Sequence, residues 1–332
     1  MTLKKAELHV HLEGTMTPTL AEKLSRRNNI ALPANLIAAD KQSYSYSDFP
    51  GFLKAYDEVA SVIKHPRDYY DLTFDYLKAS AKENTLYVEM MYSPDHAELS
   101  SGIPSSEHLQ AIQQAIIDAE AKYKIIGRIL IIAVRHFGVD AVTKVAKQAI
   151  KEKVPCLVGF GLGGDEINFP PKLFTEAYNT AFEGGLQCTV HAGEFAPAST
   201  MLEAMEYLPI KRIGHGVQAI HSQETLSQLK ERNIALEICP SSNIALGLFK
   251  DMKSHPLIQL LDAGIQVSLN SDDPPFFRTN LAREYQRVQQ SYNYTDEQMN
   301  NFTAMAINSS FADAQTKEKL SNLLADSEIP KL

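Results

Sequence analysis

Eight short runs rich in β-branched residues, separated by longer segments of helical periodicity, constrain this chain more than any other feature. The runs are AELHVHL (6–12), TLYVEMMY (85–92), GRILIIAVR (127–135), CLVGFGLG (156–163), QCTVHAGE (187–194), KRIGHGV (211–217), ALEICPSS (235–242) and QVSLNSDD (266–273). Between them lie segments such as SSEHLQAIQQAIIDAEAKY and AVTKVAKQAIKE, apolar at i, i+3 or i+4 and bounded by caps or breakers. Eight alternations predict an α/β fold, a parallel (β/α)8 TIM barrel, in which residues 1–332 form one domain rather than two. The spacing is irregular in one place. Residues 15–84 are too long for one crossover and predict three inserted helices, over TPTLAEKLSRRN, YSDFPGFLKAYDEVASVI and RDYYDLTFDYLKASAKE, on the side where barrel active sites lie. After the eighth run, LAREYQRVQQ, TDEQMNNFTAMAINSSFA and DAQTKEKLSNLLA predict a helical tail packed outside the barrel.

The first run carries an unbroken alternation, ELHVHLEG. Side chains in a strand alternate between faces, so Glu7, His9, His11 and Glu13 share one face while Ala6, Leu8, Val10 and Leu12 share the other. The apolar set must meet the outer helices, which aims the histidines into the barrel mouth. Two inward imidazoles two residues apart suit one metal ion, or else two hydrogen-bonded core histidines. Other strand ends shift the balance toward metal. His191 lies near the end of the fifth run with Glu194 three residues on, His215 ends the sixth, and Asp272 and Asp273 end the eighth. These groups converge on the rim where barrel enzymes keep their chemistry. By parity Asp272 points inward with Ser268 and Asn270, and Asp273 reaches the pocket only if the chain turns there, as Pro274 and Pro275 favour.

Composition excludes several partners. A net charge of −8 and the absence of a Lys/Arg cluster argue against nucleic acid, whose phosphates need a cationic footprint. A small molecule is the expected partner. Three cysteines, Cys156, Cys188 and Cys239, sit in apolar runs without Cys-x-x-Cys spacing and read as buried thiols. No apolar run approaches a leader or a membrane span, so the expected location is the cytoplasm. Oligomeric state leaves no signature.

Other features have ordinary readings. Gly159 to Gly164 match GxGxxG, but Asp165 to Pro171 separate them from the next helix, so a backbone approach to a flat ligand fits better than a dinucleotide site. His65, His108, His221 and His255 read as solvated or capping residues. His96 and His136, just beyond the second and third strands, could border the pocket or serve structure. Phe52 and Tyr56, four residues apart in the insertion, suit either an apolar lid or core packing.

The motifs LHVHLEGT, GFGLGGDE, TVHAGE, RIGHG, CPSSN and SLNSDDPP, in this order on strands 1, 4, 5, 6, 7 and 8, resemble the adenosine deaminase family of the amidohydrolase superfamily over nearly the whole chain. The resemblance implies one Zn²⁺ per chain, held by His9, His11, His191 and Asp272. It implies that His215 orients and helps deprotonate a water, and that Glu194 shuttles a proton at purine N1. Gly164 would donate its N–H to N3 and Asp273 would contact N7, with His11, Glu13, Phe52 and Tyr56 as further substrate contacts. Deamination adds hydroxide at C6 and expels ammonia, which requires a strong nucleophile and a carboxylic acid kept neutral by desolvation.

The expected reaction is adenosine, and 2′-deoxyadenosine, to inosine and ammonia. Adenine or aminodeoxyfutalosine are alternative substrates, and a catalytically silent purine-binding zinc barrel is a remote alternative. Glu13 stands where adenosine enzymes usually carry Asp and adenine enzymes commonly Glu. GLGGDE, however, resembles the adenosine version, and PFFRTNLAREY replaces the Gly-rich segment of the adenine enzymes. On that larger motif the expectation is adenosine.

Overall fold

The computed structural model describes residues 3–152 and 154–325; the two ends of the expected 1–332 domain lie outside them. Its strands are β1 (Lys5–His11), β2 (Thr85–Tyr92), β3 (Ile126–Val134), β4 (Leu157–Gly163), β5 (Gln187–Ala192), β6 (Arg212–His215), β7 (Ala235–Ile238) and β8 (Val267–Leu269). They form one parallel sheet in sequence order, with helices between successive strands, the architecture of a (β/α)8 TIM barrel.

Closure depends on a side chain. β8 meets β1 through an isolated bridge, Val10 with Asp272, in which His11 N donates to Asp272 O at 2.9 Å and Asp272 N to His9 O at 3.2 Å. Where ladder bonds are missing, the Asn270 amide substitutes. Its Oδ1 accepts from Leu8 N at 2.8 Å and His9 N at 3.1 Å, and its Nδ2 donates to Ser268 O at 3.1 Å. Every buried backbone donor needs such an acceptor, so the seam stays closed directly beside His9.

The alternation of β1 sorts its faces as expected. Ala6 and Leu8 pack against Ala306, Ile307 and Leu320 of the C-terminal helices Asp296–Ser309 and Ala314–Ala325, while Glu7 and His9 are buried in the interior. Each fully buried aliphatic side chain there is worth roughly 1.5–3 kcal/mol relative to exposure.

The insertion forms helices Pro18–Asn28, Phe49–Ala60 and Pro66–Lys82. Their starts follow from local chemistry: Thr17 and Asp48 side chains accept from Leu20 N and Gly51 N, with Pro at N1 or N2 each time. The second helix crosses the mouth. Phe52 lies 5.1 Å from Phe277 and 5.6 Å from Phe276, and Phe49 lies 5.1 Å from Phe195, so it touches the loops after both β8 and β5.

Strand ends differ from the sequence reading. β5 stops at Ala192 and β6 at His215, where Gly193 and His215 take φ of 68° and 60°; β8 stops at Leu269, and Asp272, three residues on, takes φ 62°. Left-handed backbone cannot continue a ladder and re-aims the next side chain. Glu13, expected on the strand face beside the histidines, instead lies in a 3-10 turn, Glu13–Thr15, because β1 ends at His11. Among the described residues no helix is long and apolar enough to cross a membrane.

Candidate active site

Three strands, β1, β5 and β8, bring the proposed ligands together. His9 Nε2 lies 3.6 Å and His11 Nε2 3.4 Å from Asp272 Oδ1, and His11 Nε2 lies 3.3 Å from His191 Nε2. The opposite nitrogens are occupied: His9 Nδ1 bonds Glu237 Oε2 at 2.7 Å, and His191 Nδ1 bonds Leu162 O at 3.0 Å. Their Nε2 atoms therefore face the shared space, where each can coordinate a metal once unprotonated. His9 Nε2 is buried without a hydrogen-bond partner, which is costly for a polar atom and is relieved by coordination. His9, His11 and His191 place ligand atoms within 4.8 Å of one another, and His11 does the same with Asp272 and Asp273. The donor set fits a metal ion such as Zn²⁺.

Electrostatics agree. Burial disfavours charge on His9, but the Asp272 and Glu237 carboxylates outweigh it and raise its pKa to about 10. Burial also opposes the Asp272 carboxylate, yet His9 and His215 hold it far below the usual range. Burial keeps His11 neutral, at about 4, and drives His191 well below its ordinary value. His11 and His191, held neutral beside the ionised Asp272, offer lone pairs to a cation, and a metal ion at His9 Nε2 would take the place of the proton that the two carboxylates otherwise favour there.

Glu237 anchors this arrangement from beneath. Its other oxygen accepts from Arg212 Nε at 2.6 Å and Thr189 Oγ1 at 2.9 Å, and Arg212 Nη2 reaches Glu89 at 2.6 Å. All three charges are buried, which is tolerable only because they are paired. Burial would raise Glu237; Arg212 and His9 hold it at about 2 instead.

Two further carboxyls stand at the site. Burial, then repulsion from Asp272, pushes both Glu194 and Asp273 well above the carboxylate range, so each is held as a neutral acid. Glu194 Oε1 lies 3.6 Å from His215 Nδ1, and His215 Nε2 lies 4.0 Å from Asp272 Oδ2. Asp273 Oδ1 is buried with no hydrogen-bond partner among the described residues.

The remaining candidates fall around the rim. Gly164 has φ 95°, and a β-carbon there would lie 2.7 Å from His136 Nδ1, so only glycine fits. His136 is thus at the rim but exposed. Phe52 is buried among aromatic rings of the mouth, and Tyr56 packs 5.8 Å from Phe276 and 6.0 Å from His96. His96, in the helix Pro94–Ser101 after β2, bonds Asp57 of the insertion at 3.0 Å. Glu13 Oε1 accepts from the Tyr69 hydroxyl at 2.9 Å, and burial raises its pKa to about 7.

One histidine expectation fails and another holds in part. His108 is buried, bonding the Tyr92 hydroxyl at 2.9 Å; His255 is also buried rather than solvated, but its Nδ1 accepts from Leu257 N at 3.1 Å at the start of the helix Leu257–Asp262, a capping contact, while Nε2 reaches Asn243 Oδ1 at 3.2 Å. Their helical and loop contexts carried no signal of burial. Sequence reasoning also missed Glu237, Asn243 and Glu166. Glu237 was findable, since it sits between apolar Leu236 and Ile238 and must face inward by parity. Glu166 Oε1 accepts from Phe195 N and, at 2.8 Å, from Ala196 N, bracing the loop that carries Glu194.

A family model described as adenosine deaminase matches residues 4–327. The chain belongs to the adenosine deaminase family. Among relatives of this deaminase family, a protein of Rhizobium meliloti named adenine deaminase is 38% identical over 318 residues, covering 96% of this chain and 97% of that one. A crystal structure of adenine deaminase from Arthrobacter aurescens is 29% identical with a TM-score of 0.92, covering 98% of both chains. An amidohydrolase from Burkholderia ambifaria, crystallised with bound Zn, shares the fold at 23% identity and a TM-score of 0.86, covering 98% of this chain and 93% of that one.

Proposed function

We propose that this deaminase acts on free adenine, releasing ammonia from C6 and leaving hypoxanthine, with the whole chain as one catalytic domain. The relatives named adenine deaminase support the base over the nucleoside, reversing the substrate order read from the sequence. The structural observation that carries this reading is the role of GLGGDE. Its Asp165 accepts from Ile167 N and Asn168 N, and its Glu166 braces the β5 loop, so the two acidic residues of the motif that favoured adenosine have a structural role that an adenine enzyme would equally need.

Glu13 then remains as the substrate signal, and it favours adenine. It is buried, with Oε1 tied to Tyr69 and Oε2 without a hydrogen-bond partner among the described residues.

His9, His11, His191 and Asp272 would hold one zinc ion per chain. When bound, the ion supplies a water acidic enough to attack at neutral pH. Glu194, neutral on binding, donates its proton to N1 as C6 is attacked and later carries a proton to the departing amine. Asp273, also neutral, donates to N7, while Gly164 N–H reaches N3. His215 orients the attacking water. Phe52 and Tyr56, with Phe276 and Phe277, cover the mouth and exclude bulk water.

Ammonia release from adenine, adenosine, 2′-deoxyadenosine and aminodeoxyfutalosine tests the reading. Adenine should exceed each of the others in kcat/KM by at least about 10²-fold, the scale of a missing or clashing substrate group. A preference for adenosine would overturn the substrate; no release from any would overturn the enzyme.

A further inference from the structure

Asn243, buried in the helix Pro240–Ala245 after β7, contacts Glu194 and His215, the buried His255 backs it, and their hydrogen bonds admit one set of directions. The Leu257 backbone N–H points at His255 Nδ1 at 3.1 Å. A backbone N–H only donates, so that nitrogen is unprotonated. Burial holds His255 neutral, its pKa lowered to about 4, and its one ring proton must therefore sit on Nε2. That nitrogen faces Asn243 Oδ1 at 3.2 Å.

The amide oxygen is thereby committed, and its orientation follows from the chain rather than from choice. Asn243 Nδ2 turns toward Glu194 Oε1 at 3.1 Å and His215 Nδ1 at 3.3 Å. An amide nitrogen has two hydrogens and no acceptor, so both contacts are donations. Flipping the amide would set its oxygen against Glu194 Oε1 and its hydrogens against the His255 N–H. His215 Nδ1 is thus an acceptor, and the neutral ring carries its proton on Nε2, toward Asp272 Oδ2.

We infer that His255 and Asn243 are positioning residues, a relay that fixes His215 as the Nε2-protonated tautomer and ties one oxygen of Glu194 so that the other carries the catalytic proton. The inference rests on the roles given above to His215 and Glu194. It corrects half of the expectation for His215: the ring donates a hydrogen bond to orient the attacking oxygen, and its Nε2 has no lone pair with which to take a proton. It also explains why Glu194 and His215, 3.6 Å apart, do not bond directly. Asn243 stands between them.

Nitrogen-15 histidine NMR of the zinc-loaded wild-type protein, assigned with His215→Gln and His255→Gln, reads the tautomers directly. Both rings should show protonated Nε2 and unprotonated Nδ1; a protonated Nδ1 on His215 would overturn the relay. This readout is independent of turnover, so a failure of the deaminase assignment would leave it standing. Kinetics give a second test. Asn243→Asp replaces the donor with an acceptor and should lower kcat by about 10²-fold while KM moves less than about tenfold and zinc content is unchanged. His255→Phe should lower kcat less, and adding it to Asn243→Asp should cost nothing further, because the two act in series. Multiplying losses, or a fall in zinc content that accounts for the lost activity, would assign these residues a general structural role instead.

Discussion

Gly14 and Asp273 are in direct contact: a β-carbon on Gly14 would lie 1.8 Å from Asp273 Oδ1 and 2.8 Å from its carboxyl carbon. The turn after β1 is thus cut to the shape of a carboxyl delivered by the loop after β8. Gly14→Ala must displace that carboxyl. Because positioning errors near 1 Å can cost 10²-fold, kcat/KM should fall by at least about that factor, with zinc content and thermal midpoint near wild type. Unchanged kcat/KM would mean that the position of Asp273 does not matter.

Metal binding should depend on His191, whose Nδ1 is fixed by Leu162 O so that only Nε2 can coordinate. His191→Ala removes one of four proposed ligands. Purified variant should hold well under one zinc per chain by elemental analysis and lose activity in parallel; full zinc content would remove His191 from the ligand set.

Glu194→Gln keeps the shape and the Asn243 contact but cannot cycle a proton. Zinc content should be near normal and substrate affinity within about tenfold, while turnover falls at least 10³-fold, at the top of the general acid–base range because one group serves both half-reactions. Retention of more than about a tenth of wild-type turnover would sink the proton-shuttle role.

Acid should destabilise the fold through His108. Burial lowers its pKa from 6.5 to about 4, so below pH 6.5 the unfolded chain binds a proton that the native ring refuses. Stability therefore falls as pH drops from 6.5 toward 4. For this group the loss between pH 7 and pH 5 is on the order of 1–2 kcal/mol. His108→Gln should be less stable than wild type at pH 7, with a gap that narrows by that amount at pH 5 in urea unfolding. A gap constant with pH would mean that His108 titrates normally.

Legibility in the sequence followed the range of the interactions. The parity of ELHVHLEG was enough to place His9 inward and Leu8 against the outer helices, because alternation in a strand is local. The same rule could have found Glu237. It failed at Glu13, where β1 had already ended and a 3-10 turn set the direction; Asp272 and Asp273 do face the site as expected, but beyond the end of β8, where left-handed backbone at Asp272 rather than strand parity aims them.

The sequence by itself determined the eight strands, their order, the insertion and tail, and which side chains could meet at the barrel mouth. Only the tertiary structure decided how those groups are held. His9 is fixed by Glu237, 228 residues away, and Glu194 by Asn243, 49 residues away. His255 is drawn into the interior by an asparagine of the helix Pro240–Ala245. No periodicity records such pairs, because they form when the barrel closes and each buried donor must find whatever acceptor the fold has brought beside it.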